Sequence, residues 1–491
     1  MSAFGWKLKG DGRAIPEGEV VAPGERLSWP RTIGLGAQHV FAMFGATFVF
    51  PIIMGLNPQY AVMMSGFATI MFLLIVNGKI PSYLGTSASL VGAVAAIRAQ
   101  GGDSAEVTGG FLVAGAILAI VGVIVHFAGG GVVAKVLPPA VTGAVVMLIG
   151  FNLAPVVAGV YWPKDQWTAV LVMIFVTILA VAVKGFWSRI AIFLGLIFGV
   201  LVSWLFDGIF GKLGSMAAAA GGDPAYRLDF SSVSKADWFG FPTDIVTANG
   251  VLDGPHLPTF SVTAILLVVP GVIALIAENT GHVKAVSEMT GENLDGYLGR
   301  GFIGDGVATT IAGFIGASPT TTYAENIGVM AATRVYSTAA YYVAAIVAIL
   351  FGFSPKFGAA VSSVPPGVLG GITVILYGMI GLLGAKIWVE NHVNFAAPQN
   401  LVPLSAGLII GIGNVSLKFT DDFEITGIAL GTIVVIVLYH LSRWMAPHLR
   451  KEEQAQGKAY GGGAGINAGD VYEGSHRVPS NKTEEPDPLG K

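Results

Sequence analysis

The sequence predicts an all-α, polytopic membrane protein with 14 transmembrane segments, laid out as two inverted repeats of seven. Three observations carry that expectation: the composition, the succession of apolar spans, and an internal repeat. Of the 491 residues 53% are apolar and only 12% charged, and the mean hydropathy is +0.70. Soluble chains usually carry about 25% charged residues, so lipid is the expected solvent for most of this one. The 68 glycines suit helices that pack backbone to backbone in a bilayer. The chain has no cysteine, which excludes disulfides, thiolate metal sites and cysteine nucleophiles. A net charge of −3 gives no indication of nucleic-acid binding. Lys7, Lys9 and Arg13 precede no apolar core with a cleavage site, so no signal peptide is expected.

Taken in order, stretches long enough for roughly 30 Å of hydrocarbon fall at 33–51, 61–77, 110–127, 141–160, 167–183 and 190–206 in the first half. In the second half they fall at 261–282, 302–317, 339–353, 368–383, 402–415 and 425–441. Two more apolar pieces, 89–97 and 325–333, are too short to cross alone. Each follows a stretch rich in Gly, Ser, Thr or Pro ("YLGTSAS" and "ASPTTTYA"), so each is expected to cross as an extended piece followed by a short helix. These become segments 3 and 10. With an even number of crossings and the N-terminus inside, the outer loops hold seven of the 27 basic residues: Arg98, Lys164, Lys212, Arg227, Lys235, Lys356 and Lys418. The remainder lie inside, which places both termini in the cytoplasm. The long segment 207–260, rich in aspartate, then lies outside. The polar stretch 447–491, with "GGGAG" and "NKTEEPDP", reads as a disordered cytoplasmic tail.

The repeat is visible in two landmarks. "LPPAVTGAVVMLIGFNL" from Leu137 matches "VPPGVLGGITVILYGMI" from Val364, an offset of 227. "LGTSAS" from Leu84 lines up with "TTTYAE" from Thr320, an offset of 236. Seven segments per half is an odd number, so the halves must insert in opposite senses. Inverted repeats with interrupted helices are the architecture of secondary transporters, which bind substrate near the midplane.

The interrupted segments also locate the candidate site. Arg334 should stop at the inner interface, because a guanidinium is costly in the bilayer centre. Glu325 stands nine residues before Arg334, and Ser89 nine residues before Arg98. At about 1.5 Å per residue that is roughly 14 Å, half the hydrocarbon thickness. Both short helices are therefore expected to start at the midplane, running in opposite directions. Their first N–H groups lack helical partners and carry partial positive charge. Two such starts facing each other make a polar chamber suited to carbonyl oxygens.

Few other ionisable groups lie deep in the spans. Glu278 and His282 in "IAENTGHV" are four apart and share a helix face. His39 lies in the first span beside Gln38, and Asp305 lies five residues after Arg300. Each also has a plainer reading: Glu325 as a helix cap, Glu278 as partner of a polar neighbour, the two histidines as satisfied core residues. For Asp305 the structural reading, a cap or an inter-helix hydrogen bond, is the one expected. Carboxylates without deep Lys or Arg argue against an anionic substrate. A cation would fit them. A neutral planar ligand with N–H donors beside carbonyls fits better, because helix-start amides can donate to those carbonyls. A carboxylate in low dielectric without a charge partner can also carry a proton, as a proton-coupled symporter requires. No nucleophile–base pair, metal cluster or cofactor loop points to an enzyme. Saturable uptake would exclude a channel.

"ENIGVMAATR" (residues 325–334) resembles the signature of the nucleobase–ascorbate transporter family, also called nucleobase:cation symporter-2. "QHVFAMFGATFVFP", "AENTGHVKAV", "RGFIGDG" and "VPPGVLGGI" are similar to further motifs of that family, in the same order, so the resemblance covers about residues 33–441. Glu at the first signature position is similar to the bacterial uracil and pyrimidine permeases. The resemblance implies a core domain (31–130 and 261–355, segments 1–4 and 8–11) and a gate domain (131–206 and 356–446, segments 5–7 and 12–14). Residues 1–30 form the cytoplasmic N-terminal tail. It also implies short antiparallel β-strands in segments 3 and 10, elevator-like proton symport, no cofactor beyond the coupling proton, and a homodimer in the cytoplasmic (inner) membrane.

Carried onto this sequence, the resemblance has Glu278 and Glu325 hydrogen-bond a pyrimidine, with uracil foremost. Ala88 and Ala324 offer backbone groups, His282 lies beside the ligand, and His39 links to Glu325 in the proton network together with Glu278. Ser89 and Tyr323, at the two helix starts, complete the candidate set. Two departures are visible. Ala88 stands where a bulky aromatic is usual in uracil carriers, and Ala324 where Gly is usual. A small Ala88 enlarges the pocket, which keeps thymine, or xanthine and uric acid in a purine permease of the same fold, as alternatives. An anion carrier of this architecture remains a rival that the missing deep cation disfavours.

Overall fold

The computed structural model describes residues 5–15, 19–217, 224–247, 250–420 and 423–445. The stretch 447–491, expected to be a disordered tail, lies outside the described residues. The chain is mostly helical. In the first half the architecture is carried by α1 (Trp29–Met54), α2 (Pro58–Ile75), α3 (Val91–Ala99), α4 (Ser104–Ala128), α5 (Pro139–Asn152), α6 (Gln166–Ala182) and α7 (Ala191–Phe210). In the second half it is carried by α8 (Val262–Thr290), α9 (Leu298–Phe314), α10 (Ala324–Thr333), α11 (Thr338–Gly352), α12 (Pro366–Glu390), α13 (Pro398–Ile412) and α14 (Gly427–Met445). Among the described residues eight helices are long and apolar enough to cross a membrane, or nine if α11 and the helix Pro355–Ser362, bent by 85°, count as one. The protein is a multi-pass membrane protein.

Local chemistry explains most helix limits. α1 ends on Gly55 in the left-handed conformation, and Asn57 caps α2 by accepting from the Tyr60 N–H at 3.1 Å. Asp103 caps α4 in the same way through the Glu106 N–H, at 2.9 Å. The span expected at 141–160 is one of the eight, Pro139–Tyr161, with a change of helix type inside it. α5 stops at Asn152 and the chain continues through Ala154–Val156 into a π-helical turn, Val157–Tyr161. Pro155 accounts for the change, since it has no N–H and its ring clashes with the carbonyl four residues back. α8 overruns its expected end at His282 and continues to Thr290, because the polar turn after the apolar run is still helical and closes on Gly291 in the left-handed region.

Packing divides the helices into two groups. α4 lies against α9 and α8, and α2 and α1 lie against α11. In the other group α12 packs on α5 and α6, α7 on α6, and α13 and α14 on each other and on α5. Without a hydrophobic driving force inside lipid, close backbone approach has to supply the contact. The α4–α9 seam shows how: Gly115 faces Gly306, Gly122 faces Gly299, and Gly313 lies against Thr108 and Leu112, with the glycines spaced seven apart on both helices. A Cβ on Gly122 would stand 2.6 Å from the Ile303 nitrogen, so no larger residue fits there.

The described residues of the N-terminal stretch and of the segment 207–260 pack onto the helices. The N-terminal stretch expected as a tail forms a parallel strand pair, Lys7–Leu8 with Glu25–Arg26. It is held to the start of α11 by the Val21–Val335 bridge and by Trp6 Nε1 donating to Thr338 Oγ1 at 2.8 Å. In the segment 207–260, Arg227 is buried between Asp165 (2.7 Å) and Asp207 (3.0 Å), beside α6 and α7. The same segment then crosses to the other group of helices. Asp253 bridges to Leu56, and its carboxylate accepts from Ser104, which in turn accepts from Arg98.

Candidate functional site

Two three-residue strands, β1 (Leu84–Thr86) and β2 (Thr320–Thr322), pair antiparallel with Gly85 opposite Thr321. Backbone at membrane depth must find every partner within the protein, and here the solution is the same in both halves. The Leu84 N–H donates to Thr69 Oγ1 on α2 at 2.9 Å, and the Thr320 N–H donates to Thr309 Oγ1 on α9 at 3.1 Å. Beyond the strands the pairing continues, with Ser87 N–H to Pro319 O (2.8 Å) and Tyr323 N–H to Tyr83 O (3.0 Å). Tyr323 braces the pair: its hydroxyl donates to Thr86 O at 2.8 Å and accepts from Thr47 on α1 at 3.1 Å. Its ring covers Gly85, where a Cβ would stand 2.6 Å from Tyr323 Cε2. The Tyr323 side chain thus works as a strut between β1, β2 and α1.

From this pair the two short helices leave. A 3₁₀ turn, Ala88–Leu90, leads into α3, with Ser87 Oγ accepting the Ser89 N–H at 3.2 Å. α10 starts directly at Ala324, and no side chain caps it. Its first-turn N–H groups thus lack an N-cap partner, and that of Glu325 lies beside its own carboxylate. Around these starts Ala324 is exposed, and Ala88, Glu278, His282 and Glu325 are half-buried, in a region where most neighbours are fully buried.

Glu278 accepts from Ser89 Oγ at 3.2 Å, which ties α8 to the first helix start, and it lies within electrostatic reach of Glu325. The Glu325 carboxylate has no side-chain hydrogen-bond partner among the described residues. The ion pairs those residues form all lie elsewhere, so neither glutamate has a basic partner. His282 Nδ1 is 2.7 Å from Thr322 Oγ1. His39, fully buried, lies against the Tyr341 ring, tilted by 36° with centroids 4.4 Å apart, and meets Asn326, whose Nδ2 lies 3.2 Å from its Nδ1 and donates to its carbonyl at 2.9 Å. The histidine is thus brought to the residue after Glu325 rather than to the Glu325 carboxylate itself. Asp305, wholly buried on α9, accepts from Asn279 Nδ2 of α8 at 2.6 Å, the inter-helix bond expected of it.

Asn279, Thr322, Asn326, Thr69 and Thr309 are residues that the sequence reading did not single out. Their signal was faint: Asn279 falls three residues before His282 on one face of α8, and Thr322 belongs to a run of three threonines.

A many-helix membrane protein that sets two carboxylates beside a pair of broken, mutually hydrogen-bonded segments has the make-up of a secondary transporter. The chain belongs to the nucleobase:cation symporter-2 family: the family model Xan_ur_permease, described as a permease family, matches residues 30–419. Among its relatives, the putative pyrimidine permease RutG of Escherichia coli (strain K12) is 40% identical over 450 residues, covering 89% of this chain and 95% of that one. The uracil permease of Bacillus caldolyticus is 37% identical over 416 residues, covering 83% and 90%. Two solved structures share the fold at low identity. The murine Slc26a9 anion transporter in the inward-facing state superposes with a TM-score of 0.59 at 11% identity, over 85% of this chain and 68% of that one. The transmembrane domain of the cyanobacterial bicarbonate transporter BicA gives 0.50 at 13%, over 83% and 96%. The family and these relatives are permeases rather than enzymes.

Proposed function

We propose that the chain is a proton-coupled nucleobase importer with uracil as its foremost substrate. The observation that carries this reading is the pair Glu278 and Glu325, free of basic partners and set beside the two helix starts, in a chain whose relatives are named uracil and pyrimidine permeases. A cyclic imide presents ring N–H groups between carbonyls. Ionised carboxylates accept the former in strong, charge-assisted bonds, and helix-start amides donate to the latter. Glu278, held by Ser89, anchors the ring. Glu325 accepts a ring N–H and takes the coupling proton, with His39 acting on it through Asn326 and Glu278 as the second acidic group. Ala88 and Ala324 contribute backbone, and Tyr323 keeps the helix starts in register.

In this reading all 14 segments cross the bilayer, α3 with β1 and α10 with β2 forming the interrupted ones. The helix group with α1, α2, α4, α8, α9 and α11 is the core that carries substrate, and the other group is the gate it slides against. Both termini face the cytoplasm, the membrane is the cytoplasmic (inner) one, and the working unit is a homodimer. The relatives' names do not support a purine carrier. Equilibrium binding of radiolabelled uracil to the purified protein tests the assignment. Wild type is expected to bind, and Glu278→Gln to lose about tenfold or more in affinity, as for a hydrogen bond to a charged group. A wild type that binds xanthine and not uracil would overturn the assignment.

A further inference from the structure

The hydrogen bonds behind His282 have one self-consistent polarity, and we propose that Asn279 and Thr322 are positioning residues that make His282 an acceptor toward the ligand. Leu275 O can only accept, and Asn279 Nδ2 lies 3.0 Å from it. The same Nδ2 lies 2.6 Å from Asp305 Oδ2, so both amide hydrogens are engaged. The reversed amide would set its oxygen against a carbonyl and a carboxylate, three acceptors with at most one hydrogen among them. Asn279 Oδ1 therefore faces Thr322 Oγ1, at 3.1 Å, and receives the only hydrogen that hydroxyl has. His282 Nδ1, 2.7 Å from the same hydroxyl, must then be the donor.

With Nδ1 carrying the hydrogen, Nε2 of a neutral imidazole is a lone-pair acceptor. No carboxylate hydrogen-bonds His282 among the described residues, so burial disfavours an imidazolium there. Asn279 and Asp305 are 0% exposed and Thr322 1%, which keeps water from reversing the relay. His282 is half-buried, and Nε2 is the ring nitrogen left for a ligand. The consequence for selectivity is specific: the ligand edge that meets His282 has to present an N–H. The ligand is then a planar ring with at least two N–H groups beside its carbonyls, as uracil has: one meets His282 and the other is left for the carboxylates Glu278 and Glu325. The inference rests on the nucleobase reading for the ligand, but not for the tautomer.

The test is ¹⁵N NMR of histidine-labelled protein in nanodiscs, where protonated and lone-pair ring nitrogens have distinct shifts. His282→Gln identifies the His282 signals among the eight histidines of the chain. Expected is an Nδ1–H tautomer in wild type. Thr322→Val is expected to release it to Nε2–H and weaken uracil binding about tenfold, the equivalent of one lost hydrogen bond, while Thr322→Ser preserves both. An Nε2–H tautomer in wild type would overturn the proposal without recourse to any variant. So would a Thr322→Val protein identical to Thr322→Ser in tautomer and affinity. An Nδ1–H wild type that binds no nucleobase would uphold the relay and overturn the functional reading instead.

Discussion

Arg227 is buried between two aspartates, and its removal has a calculable consequence. Arg227 and Asp165 side chains are each 4% exposed, and Asp207 is 13% exposed. Asp165 also caps α6, accepting from the Thr168 N–H at 3.3 Å and the Thr168 hydroxyl at 2.6 Å. Arg227→Met leaves the Asp165 carboxylate buried with only those two donors. Breaking a buried pair from one side destabilises by about 3–5 kcal/mol, and the two remaining donors put this case near the lower end, about 3 kcal/mol. Adding Asp165→Asn removes the orphaned charge while keeping an oxygen for the Thr168 N–H, because Asn caps a helix as well as Asp. The double variant should therefore be more stable than Arg227→Met alone, by at least about 1 kcal/mol. Reversible unfolding in mixed micelles measures both. A double variant as unstable as the sum of its singles would refute the reasoning, and so would a neutral Arg227→Met.

Gly85→Ala should destabilise by about 1–3 kcal/mol, because its Cβ would stand 2.6 Å from Tyr323 Cε2 and 2.7 Å from Thr47 Oγ1. Thermal denaturation in detergent reads it, and an unchanged midpoint would mean that Tyr323 does not strut the strand pair. Glu325→Gln keeps part of the uracil affinity but abolishes accumulation driven by a proton gradient. Undiminished uphill uptake by that variant would remove Glu325 from the coupling. Ala88→Phe narrows the pocket, so thymine and xanthine should compete with uracil less well than in wild type, with uracil affinity changed by less than about tenfold. Unaltered competition would show that residue 88 does not set the range.

The helical plan was legible because it rests on patterns that survive in one dimension. Apolar runs mark helices that lipid can accept, and Arg98 and Arg334 mark where the two short helices stop. Arg334 closes α10 in the left-handed conformation at φ 58°. The pairing of Leu84–Thr86 with Thr320–Thr322 could be expected only through a family resemblance. A three-residue strand has no period to detect, and its partner lies more than 230 positions away. Polar relays were less legible still. Glu278 and Glu325 stand out in an apolar background, but nothing in "ENTGHV" says that Asn279 turns toward Asp305 while His282 turns toward Thr322. His39 illustrates the same limit. Its place near α10 was foreseeable, but which of two adjacent polar residues it meets depends on the rotation of α10 about its axis, which hydropathy does not specify.

Proteoliposomes decide the central claim most directly. Radiolabelled uracil uptake would be followed under an imposed inward proton gradient, with unlabelled thymine, xanthine and uric acid as competitors. The account predicts uptake against a uracil gradient that a protonophore abolishes and that pyrimidines compete more strongly than purines. Uptake that is indifferent to the protonophore, or the absence of uracil uptake alongside transport of xanthine, would contradict it.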